Sequence, residues 1–330
     1  MHMADALISP TVGAAMYTAS AVAAVYSVKK IKEENDLTKI PVMGVTGAFV
    51  FATQMLNFTI PGTGASGHLC GGMLLTAILG PYAAFLTMIS ILLIQCLLFA
   101  DGGLLALGCN IWNMAFYGCF LGYFLIWSPM MKGQMTRKRI MAASIIGCVV
   151  TLQLGAFSVV LETLASGITA LPFSVFALTM QPIHLIIGFI EGLITAAVLV
   201  FVYESRPELL RNSGNAEASG KRSLKMTLAI LAVITVLCGG LFSLFASSNP
   251  DGLEWSIERI VDGDLEESDE GAYATAGKIQ EATAILPDYA FKNSETVAGT
   301  TVSGIAGSAV VVAVCALVCV MLKALTKKKA

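Results

Sequence analysis

Nine stretches of this 330-residue chain are apolar for long enough to approach or reach the span of a bilayer. They lie at roughly 9–28, 41–60, 69–81, 82–100, 104–127, 139–163, 182–203, 225–246 and 301–322. Crossing the hydrocarbon core takes about 20 helical residues. Backbone N–H and C=O groups find no water there, so a lone apolar run has only the helix open to it. Charged residues make up 13% of the chain, against about 25% in soluble domains, and mean hydropathy is +0.78. The sequence therefore predicts an all-α membrane protein. Seven spans form a core with an outward N-terminus, and two C-terminal spans flank an extracytoplasmic loop. The run at 69–81 is short and Gly80-Pro81 cuts it off, so it is expected as a short helix packed inside the bundle. No basic segment precedes the first run, which reads as a retained span and not a cleaved signal.

Basic residues set the expected orientation, because loops rich in Lys and Arg stay on the cytoplasmic side. With the N-terminus outside, all of the 20 Lys and Arg except Arg259, Lys278 and Lys292 fall on inner segments. The chain then divides into a core at 1–203, a cytoplasmic linker at 204–224 with Ser213-Gly214-Asn215 and Ser219-Gly220, and a two-span unit at 225–330. That unit carries an acidic outer loop at 247–300, which reads as a solvated face able to concentrate cations at the mouth.

Several chemistries are excluded or disfavoured. All eight cysteines lie in or beside apolar runs, which argues for small packing residues over a disulfide framework. Gly271 to Gly277-Lys278 has five intervening residues where a phosphate loop has four, and Ile279 follows the lysine. Gly214 to Gly220-Lys221 fails in the same way, so ATP-driven work must come from another chain. The absence of a His-Glu-x-x-His helix or a clear nucleophile–base set weighs against an intramembrane metalloenzyme. No signalling domain supports a metal sensor.

The opening Met1-His2 supplies what such a chain can use. Its amine, the backbone nitrogen of His2 and the ring Nδ1 of His2 can close a five- and a six-membered chelate around one ion. Nitrogen ligation in a plane suits Ni(II) and Cu(II). The missing corner is expected from His68, in Ser66-Gly67-His68-Leu69-Cys70-Gly71-Gly72. Cys70 lies two residues away as a further candidate contact. No organic cofactor is implied.

Polar residues within apolar runs are costly in lipid and mark sites or helix contacts. Gln54 and Asn57 share a face of the second run, Gln95 lies near the end of the fourth, and Asn110 and Asn113 follow Asp101-Gly102-Gly103. Asn57, Gln95, Asn110 and Asn113 are candidates to hydrogen-bond the ligands from behind. His184 and Glu191, seven apart on the seventh run, read as a hydrogen-bonded pair and as further candidates to support the ligands from behind, with a second metal stop or proton relay as the alternative. Glu162 reads as interfacial. Small residues four apart, Gly118/Gly122 and Gly188/Gly192, suit close helix contacts within the bundle or with a partner.

Taken together, Met1-His2, Gly67-His68-Leu69, Asp101-Gly102-Gly103, Gly108-Cys109-Asn110, Pro182-Ile183-His184 and Glu191-Gly192 resemble the CbiM/NikM family over about 1–203. Members are substrate-binding membrane components of cobalt and nickel energy-coupling-factor transporters. Asn249-Pro250-Asp251-Gly252-Leu253-Glu254 resembles the signature of the small two-span component, here fused. The resemblance implies a metal importer subunit of the cell membrane, not an enzyme. It implies a transmembrane coupling subunit and a pair of ATP-binding-cassette ATPases as partners, with no nucleic acid. It also carries the ligand roles onto Met1, His2 and His68, with Ni(II) favoured and Co(II) the alternative cargo.

Overall fold

The computed structural model describes residues 1–34, 39–212, 223–261, 265, 268, 270–292, 296 and 298–327. Ser213-Gly214-Asn215, Ser219-Gly220 and Lys221 lie outside the described residues, as do Asp262, Asp264, Glu266, Glu267, Asp269 and Glu295. The core comprises α1 Pro10–Glu34, α2 Lys39–Gln54, α3 Gly72–Leu79, α4 Pro81–Phe99, α5 Leu107–Met131, α6 Arg137–Ser166 and α7 Phe173–Ser205. The C-terminal unit adds α8 Leu224–Phe245, the short α9 Gly252–Glu258, α10 Gly271–Thr283 and α11 Ala298–Lys327. Among the described residues, seven of these helices are long and apolar enough to cross a bilayer: α1, α4, α5, α6, α7, α8 and α11.

Helix boundaries follow local chemistry. Gly80 and Pro81 separate α3 from α4, with Pro81 in the first turn, where its missing N–H costs nothing. Thr136 caps α6 by accepting from Arg139 N, and Gly167 ends it in a left-handed turn. Two boundaries depart from the apolar pattern. α2 stops at Gln54, so Asn57 is not on its face but in the connection beyond it. α7 begins at Phe173 and runs through Pro182, which the sequence pattern takes as its start. Within α5, Ile111–Trp127 widens to i→i+5 hydrogen bonding, a departure that often accompanies functional sites.

Between helices in lipid, close van der Waals contact does the holding, because the tails are as apolar as the side chains. The small-residue faces serve this internal bundle. Gly188 and Gly192 lie against Val149 and Ile145 of α6, while Gly118 and Gly122 of α5 meet Gly72 and Met73 of α3. Across the two units, a Cβ on Gly307 of α11 would strike Phe51 of α2.

At the end of the bundle that carries the N-terminus, Phe58–Thr59 (β1) pairs antiparallel with Ser66–Gly67 (β2). This hairpin presents His68 directly after its second strand. The segment before α9 lies along it: Ser66 N donates to Pro250 O at 2.8 Å, and Ser66 Oγ to Asn249 O at 2.8 Å. Trp255 Nε1 then donates to Thr63 O at 2.9 Å. On the other side, Gln280 of α10 donates to Gly102 O at 2.9 Å, and Tyr273 donates to Ile8 O at 2.9 Å. The acidic loop is thus not simply a solvated face; its described parts clasp the N-terminus and the His68 hairpin.

Candidate metal site

The first residues are threaded into the bundle instead of trailing from it. Met1, Met3, Leu7 and Ile8 are buried. Asn110 Oδ1 accepts from Met3 N at 2.7 Å while Asn110 Nδ2 donates to Met3 O at 3.1 Å. Gly103 N also donates to Met3 O, at 2.9 Å, and Ala106 N donates to Asp5 Oδ1 at 2.9 Å. The Asp101-Gly102-Gly103 turn is what makes room. Gly102 sits at φ +82, and a Cβ on Gly103 would run into Asp5.

Threading delivers the terminal amine to His68. Met1 N lies 3.1 Å from His68 Nε2, although the residues are 67 apart in sequence. His68 Nδ1 faces Leu69 O at 2.9 Å. A carbonyl only accepts, so Nδ1 carries the proton and Nε2 offers its lone pair toward the amine. Burial, the neighbouring ammonium and His2 push the His68 imidazole down to about 3, so it is neutral at physiological pH. The His2 and His68 rings stack with centroids 5.3 Å apart and an interplanar angle of 14°. Burial also lowers the His2 imidazole, Asp101 opposing the shift.

His2 is held from its other edge. Its Nδ1 lies 3.0 Å from Asp101 Oδ1, and Asp101 Oδ2 accepts from Tyr289 OH at 2.5 Å. The buried Gln95 side chain lies beside the His2 ring, close enough to interact with it, while His2 Nε2 and Gln95 Oε1 lack a well-aligned hydrogen bond. Gln95 Nε2 donates to Gln54 Oε1 at 3.0 Å, tying α4 to α2.

Asp251 joins the site although its sequence context marks it only as part of the two-span signature and the acidic loop. Its carboxylate pairs with the Met1 ammonium, and Oδ2 lies 3.9 Å from His68 Nε2. Oδ1 meanwhile caps α9, accepting from Leu253 N at 2.8 Å and Glu254 N at 3.0 Å. Burial works to raise the pKa of Asp251, but the ammonium and His68 outweigh it and hold the carboxyl well below the usual range. Two local signals mark it: the Asn249–Glu254 signature that contains it, and the Asp251-x-x-Glu254 spacing of a capping box, hence an ordered helix start inside an acidic loop.

The remaining candidates divide. Asn113 Nδ2 donates to Glu162 Oε2 at 2.6 Å and contacts Met3 Sδ at 3.6 Å, so it supports the N-terminal segment. Glu162 is buried at 7% exposure, not interfacial as its position near the end of its run suggested. His184 and Glu191 do not bond each other. His184 Nδ1 donates to Met180 O at 2.8 Å, and Glu191 Oε1 accepts from Gly71 N at 2.9 Å. His184 Nε2 has no hydrogen-bond partner, and the residue lines a cavity of ≈ 10 Å³ with Met1, His68, Cys70 and Asp251. Cys70 Sγ donates to Met114 O at 3.1 Å. Asn57 lies further out, lining an open vestibule of ≈ 540 Å³ with His2, His68, Asp101, Glu254 and Asp288.

Among the described residues, no three His, Cys, Asp or Glu side chains converge at metal-binding spacing.

Comparison with known proteins bears on the whole chain. Residues 2–209 match the CbiM family model, described as the cobalt uptake substrate-specific transmembrane region, and residues 225–324 match the PDGLE domain. A relative from Archaeoglobus fulgidus, named for fused nickel transport, is 33% identical over 95% of this chain and 96% of its own length. The fused nickel transport protein NikMN of Rhodobacter capsulatus is 30% identical over 84% of this chain and 80% of its own. The cobalt transport protein CbiM of Sorangium cellulosum is 30% identical over 64% of this chain and 94% of its own. A crystal structure of a truncated transition metal transporter superposes with a TM-score of 0.55 at 32% identity, covering 62% of this chain and 99% of that one. This chain belongs to the CbiM family of metal transport proteins and carries a PDGLE domain fused behind it.

Proposed function

We propose that this chain, a component of a nickel or cobalt transport system, captures Ni(II) from outside the cell with a nitrogen plane built on its own N-terminus. Met1 contributes its amine, His2 its backbone nitrogen and Nδ1, and His68 its Nε2. The observation that carries this reading is the buried Met1 amine 3.1 Å from a lone-pair-bearing His68 Nε2. Closing the second chelate ring needs His2 Nδ1 to leave Asp101. The proton then resides on Nε2, and Gln95 Oε1 beside the ring is an acceptor for it.

Orientation follows the distribution of basic residues: N-terminus and site outside, C-terminus cytoplasmic, in the plasma membrane. The core at 1–203, the linker at 204–224 and the two-span unit at 225–330 act as one capture component. A transmembrane coupling subunit and ATP-binding-cassette ATPases supply the power stroke, since the chain carries no phosphate loop. The test is metal analysis of the purified full chain with a native terminus, after exposure to Ni(II) and Co(II) in competition. One equivalent of nickel, absent from His68→Ala, is expected. Preferential retention of Co(II) would reassign the cargo, and metal retained equally by His68→Ala would reject the site.

A further inference from the structure

We infer that Asp251 is itself a metal ligand: its Oδ2 forms, with Met1 N and His68 Nε2, a three-donor capture site that holds the entering dication before His2 closes the nitrogen plane. The inference rests on the proposed roles of Met1 and His68, and it adds a donor from the fused C-terminal unit.

The geometry is that of a coordination sphere in waiting. First-row divalent ions sit about 2.0–2.2 Å from nitrogen and oxygen donors, so neighbouring donors at a right angle are about 2.9 Å apart and opposite ones about 4.1 Å. Met1 N and His68 Nε2 are 3.1 Å apart, a right-angle edge. Asp251 Oδ2 and His68 Nε2, at 3.9 Å, are near the wider separation, with the amine between them. Two lone-pair donors flank an ammonium in ion-pair contact with Asp251; the ammonium gives its proton to water as its nitrogen takes the ion, and the Met1–Asp251 contact opens to a donor–donor edge.

Asp251 is built to aim. Oδ1 is committed to the α9 cap, which leaves Oδ2 to face the amine. Hydrogen bonds from Ser66 to Asn249 and Pro250 lock the segment to the hairpin that carries His68. Gly252 permits the approach, since a Cβ there would meet His184 Nε2 at 3.1 Å and Ile187 Cδ1 at 2.9 Å. His68 and Asp251 also line both the open vestibule and the small inner cavity, so an ion passing from one to the other meets this pair.

A counter-ion that merely neutralises the ammonium would compete with the metal, and its removal would speed binding. A ligand does the reverse. Asp251→Asn and Asp251→Ser both keep an N-cap oxygen while losing the carboxylate. Stopped-flow mixing of the full chain with Ni(II) alone should show association slowed about tenfold or more in both variants, which also melt lower because the Met1 ammonium loses its ion-pair partner. In a His2→Ala background, which cannot close the plane, weak Ni(II) binding should persist and disappear on adding Asp251→Asn. Association at the original rate or faster, or His2→Ala binding that is absent or indifferent to Asp251, overturns the inference. If His68→Ala instead binds normally, the proposed site itself fails. If His68→Ala loses binding while Asp251→Asn keeps its rate, only the carboxylate's role fails.

Discussion

Asn110 holds Met3 by both backbone groups, its Oδ1 accepting from the N–H at 2.7 Å and its Nδ2 donating to the C=O at 3.1 Å. This side-chain amide mimics a neighbouring strand and fixes the register of the first residues, two positions from the amine. Asn110→Ala leaves the buried Met3 N–H without an acceptor, a cost of about 1–3 kcal/mol. Thermal unfolding should register that loss, and calorimetric titration with Ni(II) should show affinity down by about tenfold or more.

The Asp101-Gly102-Gly103 turn admits the N-terminal segment only because position 103 has no side chain. A methyl there overlaps Asp5, whose Oδ1 holds Ala106 N. Gly103→Ala is expected to displace the segment, destabilising the protein by about 1–3 kcal/mol and abolishing Ni(II) retention. Limited proteolysis near the terminus is the independent check.

Gln95 stands in two roles that a single variant separates. Its amide nitrogen joins Gln54, while its oxygen lies beside the His2 ring without a well-aligned hydrogen bond. If that oxygen receives the His2 Nε2 proton in the loaded state, Gln95→Met lowers Ni(II) affinity by about 10–100-fold. A purely structural tie would lower the melting temperature and leave affinity alone.

Acid should weaken the site in two ways. Because the His68 imidazole is pushed down to about 3 in the folded chain, the unfolded state, titrating near about 6.5, binds more protons in between. Docking of the N-terminal segment is therefore fully supported above that value and loses stability as pH falls below it. Metal binding adds competition from protons on the amine and amide, since both imidazoles are already neutral. Calorimetry at pH 7 in buffers of differing ionisation enthalpy should find about two protons released per ion. Affinity should drop from pH 8 to 5.5, and a flat profile would contradict the chelate.

Much of this was legible in the sequence because lipid enforces it. Apolar runs had to become helices, and Met1, His2 and His68 are the residue types a nitrogen plane requires. What escaped notice depended on distant chain segments. Asp251 lies 250 residues from the amine it pairs with, and although it falls in the Asn249–Glu254 signature and opens a capping box, neither local pattern shows which distant group it faces. Asn57 was misplaced because α2 yields to the Phe58–Gly67 hairpin while the apolar run continues. The start of α7 was misjudged because Pro182, usually a helix boundary, is tolerated inside a helix that neighbours support. His184 and Glu191 do share a helix, but backbone groups nearer to each take up their hydrogen bonds.

The most direct measurement compares Ni(II) binding by the full chain with its native terminus and by a version carrying a short Met-Gly-Gly extension ahead of Met1. The extension keeps every side chain but turns the amine beside His68 into an amide, removes its ion pair with Asp251 and adds residues at the buried Met1, so the melting temperature of both forms is compared alongside. Loss of binding as complete as in His68→Ala is expected; an extended chain that binds nickel with undiminished affinity would contradict the account.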